Sequence, residues 1–167
     1  TKGIYELMNW QRPDGVIASP VPSLNWCKEL PLQMLASVGW YGFYTQAFYS
    51  DDYSFVPHIY DGLKKYLHEV WQVDGQGMPV VRQGDWSWGD WGTDVDMEVL
   101  TTCWYYLALK AEKEFALHLR KLYDANQIGE MMKRISAAFD ARYWNGKAYR
   151  SKLHNGETDD RAQAMAV

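Results

Sequence analysis

From Leu30 to Ser50 the chain runs 21 residues without a charged side chain, LPLQMLASVGWYGFYTQAFYS, and apolar or aromatic groups fall on nearly every face of the helix it would form. A helix of that kind has no side to turn toward water, so it must be enclosed by lipid or by other helices. Pro31, Gln33, Ser37, Thr45, Gln46 and two glycines interrupt the aromatics. Polar groups are costly in hydrocarbon unless paired, so the composition predicts a helix buried within protein.

A second segment of this type runs from Val95 to Leu109. There Leu100, Cys103, Trp104, Leu107 and Ala111 make one stripe while Val99, Tyr106 and Leu109 fill other faces. Between and after these lie one-sided helices. Ile59, Leu63, Tyr66, Leu67, Val70 and Trp71 mark one stripe, and Ile128, Met131, Ile135, Ala138 and Phe139 mark the next. Their opposite faces carry Asp61, Lys64, Lys65 and Glu69, then Glu130, Lys133, Arg134 and Asp140, as on a layer facing solvent. No run alternates with period two, so the chain is expected to be all-α.

The order of the helices is informative: outer or mixed at 1–12, inner at 30–49, outer at 57–72, inner at 95–111 with an extension toward 122, outer at 125–142, and a last helix beginning near Thr158. If the last is also inner, the inner helices begin near 30, 95 and 158, a spacing of roughly 64 residues, as in a repeat of helical hairpins. The chain opens inside a helix and stops about nine residues into another, for which Thr158 or Asp159 is the expected N-cap. These features predict residues 1–167 as a fragment of one domain, with no internal boundary. Its unsealed inner helices would associate with the rest of a parent chain or with themselves.

Composition excludes several classes of function. A net charge of -4, with no basic cluster, does not suit neutralising phosphates, so neither nucleic acid nor a membrane surface is an expected partner. Cys27 and Cys103 stand alone and are expected to be small buried hydrophobes, and His58, His68, His118 and His154 form no ligand-spaced pair, so surface or capping roles are expected of them. No metal or cofactor site is expected, since no phosphate-binding glycine loop, dinucleotide fingerprint or nucleophile elbow occurs. No signal peptide stands at the start.

Each inner helix is preceded by a loop. Loop 1, PDGVIASPVPSLNW, brings Asp14 and Trp26; loop 2 contains GDWSWGDWGTDVD, with three tryptophans and four aspartates in 13 residues; loop 3, YWNGKAYRSKLHNGETDDR, brings Trp144, Tyr149, Asp159, Asp160 and Arg161. In an alternating array all three fall at one end. Indole faces accept the C–H side of a sugar and carboxylates accept its hydroxyls, so a mouth of this composition suits carbohydrate. The alternative is that the tryptophans plug the core and the aspartates cap helices.

The run WSWGDWGTDVDMEVLTTCWYYLALK, followed by AAFDARYWNGKAYRS and ETDDRAQAMAV, resembles the α-L-rhamnosidase family of glycoside hydrolases, in particular its Bacteroides-type members. QRPDGVIASPVPS is similar, more weakly, to the family's Q-x-x-D-G-x-I-x-x-x-P segment. The resemblance implies part of an (α/α)6 toroid, six hairpins in a ring, with a rhamnose-containing oligosaccharide or glycoside bound at the mouth, and a periplasmic or secreted location. It also implies inversion, in which an acid and a base stand roughly 6.5–9.5 Å apart across the scissile bond.

The family's general acid lies in a D-x-x-x-R-E-type segment upstream of the matched region and its base on a loop downstream, so the resemblance implies no catalytic residue here and no activity for these 167 residues alone. What it implies instead is the binding half of the site: Asp90 and Trp91 first, then Trp86, Trp88 and Asp85, then Asp159, Asp160 and Arg161, with Trp26 and Trp144 at the margin. Asp14 is expected to be a turn residue. Another (α/α)6 carbohydrate enzyme, or a non-enzymatic helical-repeat scaffold, would share the helices while lacking the linked motifs.

Overall fold

The computed structural model describes residues 1–23, 27–86, 89 and 92–167. The described residues are helical, with isolated bridges and no strand among them. The helices are α1 (Lys2–Asn9), α2 (Pro31–Val38), α3 (Thr45–Ser50), α4 (Val56–Lys65), α5 (Met97–His118), α6 (Leu122–Tyr143) and α7 (Asp160–Ala166). Two π-helical turns, Trp40–Tyr44 and Tyr66–Val70, join α2 to α3 and extend α4.

The centre is α5. Val99, Thr102, Tyr105, Ala108, Leu109, Glu112 and Phe115 are buried along it, and it packs against α2, α4, α6 and α7. The outer helices turn their expected stripes to it: Ile59, Leu63, Tyr66, Leu67, Val70 and Trp71 are all buried, as are Ile128 and Ile135. Polar pins cross between the layers. The Tyr105 hydroxyl donates to the Leu67 carbonyl at 2.9 Å, and the Thr102 and Tyr143 hydroxyls meet at 3.2 Å. Burial raises the Tyr143 hydroxyl to about 12, so it stays protonated as a donor.

The uncharged run departs from one continuous helix enclosed on all sides. It breaks at Gly39, whose ψ is -153°, and resumes through the first π-helical turn. Gly39 lies where the run presses on α5: a Cβ there would stand 2.6 Å from the Leu35 carbonyl and 3.1 Å from Ala108 Cα. Beyond it Phe43 and Ala47 point into the core, while Tyr41, Phe48 and Tyr49 are exposed. Trp40 and Tyr44 stack at 4.0 Å, and Lys110 Nζ sits 3.8 Å from the Trp40 ring, so the open side is an aromatic ridge along the first π-helical turn and α3.

Two expectations need correction. Cys27 is exposed, because loop 1 turns it outward beside the Ser19–Lys28 bridge; Cys103 alone is buried, and burial raises its thiol to about 12. His68 is not a free surface or capping histidine: its Nε2 meets the two Glu112 carboxylate oxygens at 2.9 and 2.8 Å. Glu112 is wholly buried. The pair ties the extension of α4 to α5, supplying the partner without which a buried carboxylate would be strongly unfavourable.

Gly39→Ala is expected to destabilise the protein by about 1–3 kcal/mol, because the added methyl meets backbone on both sides and cannot be accommodated by a rotamer change. Denaturant unfolding monitored by circular dichroism checks this; an unchanged midpoint would contradict the close approach.

Candidate functional site

The three inner-helix N-termini share one end, and the loops leading into them are hydrogen-bonded to one another there. Loop 1 meets loop 2 through Glu29 and Asp85. The Glu29 N–H donates to the Asp85 carboxylate at 2.8 Å, and the Asp85 N–H donates back to the Glu29 carbonyl at 2.9 Å. Arg82 clamps the Glu29 carboxylate through Nε at 3.0 Å and Nη2 at 2.5 Å, and its Nη1 reaches the Val70 carbonyl.

Loop 2 meets loop 3 through two buried aspartates. Asp96 caps α5, accepting from the Val99 N–H at 3.3 Å, and its other oxygen accepts from the Ser151 N–H at 2.6 Å. Asp159 caps α7, accepting from the Arg161 N–H at 3.1 Å, and its second oxygen accepts from the Asp96 N–H at 2.9 Å. Each aspartate therefore satisfies an otherwise orphaned helix N–H and also bridges the two loops. The Arg161 side chain lies across the junction, donating from Nε to Asp159 at 2.6 Å and from Nη2 to the Asp94 carbonyl at 3.2 Å. Gln163 completes loop 3 by pairing with both the N–H and the carbonyl of Tyr149.

Burial would by itself raise the Asp159 carboxyl, but the Arg161 guanidinium and the N–H donors from Asp96 and Arg161 outweigh it and hold the group below its ordinary 3.8. Asp74 behaves alike. It nucleates the first turn of loop 2 by accepting from the Gln76 and Met78 N–H groups, and Arg142 at the end of α6 pairs with it at 2.5 Å. These donors overcome its burial and lower it too.

The residues expected at the site fall into three groups. Asp85, Trp86 and Trp144 are at this end and exposed, Trp144 resting on Tyr149 at 5.1 Å between ring centres. Asp159 is buried, Arg161 half-buried, and Asp160 exposed at the first position of α7. Trp26, Trp88, Asp90 and Trp91 lie outside the described residues. Asp14 forms the expected turn, accepting from the Val16 N–H. Sequence reasoning did not single out Asp96 or Gly92. Asp96 could have been found as an aspartate directly before an apolar helix. Gly92 could not, because its φ of +125° and its closeness to Arg161 depend on loop 3.

A cleft of about 240 Å³ opens between the loops, with Asp96, Glu98, Ser151 and His154 among its walls. A second of about 430 Å³ lies lower, between α5, α6 and the end of α7, and is lined mainly by side chains such as Tyr106, Ile135 and Phe139. The upper cleft adjoins the aromatic and acidic run. Among the described residues no group of three or more His, Cys, Asp or Glu side chains is placed to hold a metal, and no helix is long and apolar enough to cross a membrane.

A family model described as the bacterial alpha-L-rhamnosidase 6 hairpin glycosidase domain matches residues 1–167. Comparison with curated proteins and with solved structures gave no match.

Because the folded Asp159 carboxyl is held below 3.8, its contribution to stability is fully present above that pH and is lost as the pH falls through the lowered value. Asp159→Asn is expected to melt lower than the parent at pH 7 and to lose less on acidification. Melting temperature followed from pH 7 to pH 2 by circular dichroism checks this; parallel curves for the two proteins would refute it.

Proposed function

Because this chain belongs to the bacterial α-L-rhamnosidase six-hairpin glycosidase domain family, we propose that it supplies the substrate wall of an inverting glycosidase acting on terminal α-L-rhamnosides. The observation that carries this reading is the interlocking of loops 1, 2 and 3 at one end of the inner helices, through Glu29 with Asp85 and Asp96 with Asp159. That interlocking brings the ends of the G-D-W run and the D-D-R segment to a common rim.

In this proposal Trp91, with Trp88 and Trp86 beside it, offers an indole face to the C5-methyl side of the sugar. Asp90 and Asp85 accept its hydroxyls, Asp160 faces the same rim, and Trp26 and Trp144 border it. Asp159 and Arg161 belong to the rim as well. An indole face and a carboxylate suit a deoxysugar, which presents a methyl and C–H groups on one side and hydroxyls on the other.

Glu29, Asp74, Asp96, Glu98 and Asp159 are each already held by protein donors, which supports a binding rather than an acid–base role for this segment. The acid and base are proposed to come from outside these residues, within one six-hairpin domain. The exposed ridge of Tyr41, Phe48 and Tyr49 is proposed to be covered by further hairpins of that ring or by a second copy.

Calorimetric titration of the protein with L-rhamnose is expected to give heat that Trp91→Ala abolishes, while the 167-residue chain alone turns over no aryl α-L-rhamnoside. Absence of heat from a folded, complete six-hairpin domain carrying these residues would sink the reading.

A further inference from the structure

We infer that Arg161, oriented by Asp159, is a positioning residue that holds the turn at Gly92, where the G-D-W run ends, and that neither Arg161 nor Asp159 is a direct ligand of the sugar. This deepens the proposed function and rests on it.

The Asp159 side chain is 1% exposed, so it has no surface to offer a ligand. Its two oxygens accept from three donors, Arg161 Nε, the Arg161 N–H and the Asp96 N–H. The consequence is a guanidinium fixed in plane, with Nε on Asp159 and Nη2 on the Asp94 carbonyl. A planar fork held at both ends fixes position far better than a single flexible charge.

The surface it holds is the end of the G-D-W run. A Cβ built on Gly92 would stand 3.3 Å from Arg161 Nη1 and 3.5 Å from Nη2, so the guanidinium packs on the backbone at Gly92. Gly92 has φ +125°, a conformation that L side chains rarely adopt, and it follows Trp91 directly in the chain. On the far side, Asp94 is pressed against Gly156, where any Cβ would meet the Asp94 carboxylate at 2.0 Å. Loop 3 thus braces the Gly92–Asp94 segment from two sides, and small displacements of a sugar-contacting group are costly to binding and catalysis.

A double-mutant cycle on L-rhamnose affinity tests this, using Arg161→Ala and Trp91→Phe in a complete six-hairpin domain carrying these residues. Arg161→Ala is expected to weaken binding roughly ten- to hundredfold, the scale set by misplacing a reacting or binding group by about 1 Å. The double variant is expected to bind about as weakly as the weaker single variant, since both substitutions act on the same wall. Fully additive losses would make Arg161 an independent sugar ligand and overturn the inference, as would wild-type affinity in Arg161→Ala. Wild-type affinity in Trp91→Phe and Trp91→Ala would instead overturn the proposed mouth, and this inference with it. If the alanine variant fails to fold, Arg161→Lys takes its place in the cycle: it keeps the cation, cannot span Asp159 and the Asp94 carbonyl together, and is expected to restore the melting temperature without restoring affinity.

Discussion

An inner helix that begins beneath long loops presents backbone N–H groups that have no partner within the helix, and their satisfaction decides how those loops must run. For α5 and α7 the solution is reciprocal. Asp96 takes the Val99 N–H below it and the Ser151 N–H across from it, while Asp159 takes the Arg161 N–H below it and the Asp96 N–H across from it. Remove either carboxylate and two backbone donors lose their partners together, one in the first turn of the helix it caps and one in the facing loop. The arrangement of loops 2 and 3 is therefore coupled to the capping of the helices, and the cleft between them inherits its shape from that coupling.

The same device appears once more, in a more exposed form. Asp85 of loop 2 takes the Glu29 N–H just before α2, as Asp159 of loop 3 takes the Asp96 N–H just before α5. In each case the following loop reaches back to the start of the preceding inner helix. Asp96 and Asp159, each the N-cap of an inner helix, reproduce the spacing of roughly 64 residues in the sequence, so the repeat extends from helix order to hydrogen bonding. The two junctions differ in environment: Asp159 is buried and Asp85 exposed, with Lys28 only 3.9 Å from the latter. Screening by solvent makes the outer junction the weaker of the two.

The inner and outer order of the helices was legible in the sequence because a stripe at helical spacing records which face is covered, and every residue of the Ile59 to Trp71 stripe is buried. The Asp159 cap was legible too, as an aspartate before a short apolar run. Glu112 was not. A glutamate among Lys110, Lys113 and Glu114 carries no local sign of burial, and its partner His68 comes from 44 positions away. The break at Gly39 was hidden for the same reason, since it depends on where Ala108 passes. Of the residues expected at the mouth, Asp85, Trp86 and Trp144 are exposed at the common end. Pattern identified the loop aspartates but could not divide those that face outward from those turned inward to backbone donors, because that division is made by the neighbouring loop.

That division also bears on chemistry. A carboxyl that is to give up a proton to a leaving group near neutral pH must have its acidity weakened, by burial or by a neighbouring negative charge, so that it is still protonated when substrate arrives. Asp159 and Asp74 are arranged the other way. Both are partly or wholly buried, which alone would weaken their acidity, yet arginine and backbone donors reverse the effect and keep them below the ordinary range. A group so held is a permanent anion, strong as an acceptor and useless as a proton source. Its carboxylate keeps Arg161 or Arg142 oriented across the working pH range, and the loops those arginines brace stay in place whatever the protonation state of the groups that act on the glycosidic bond.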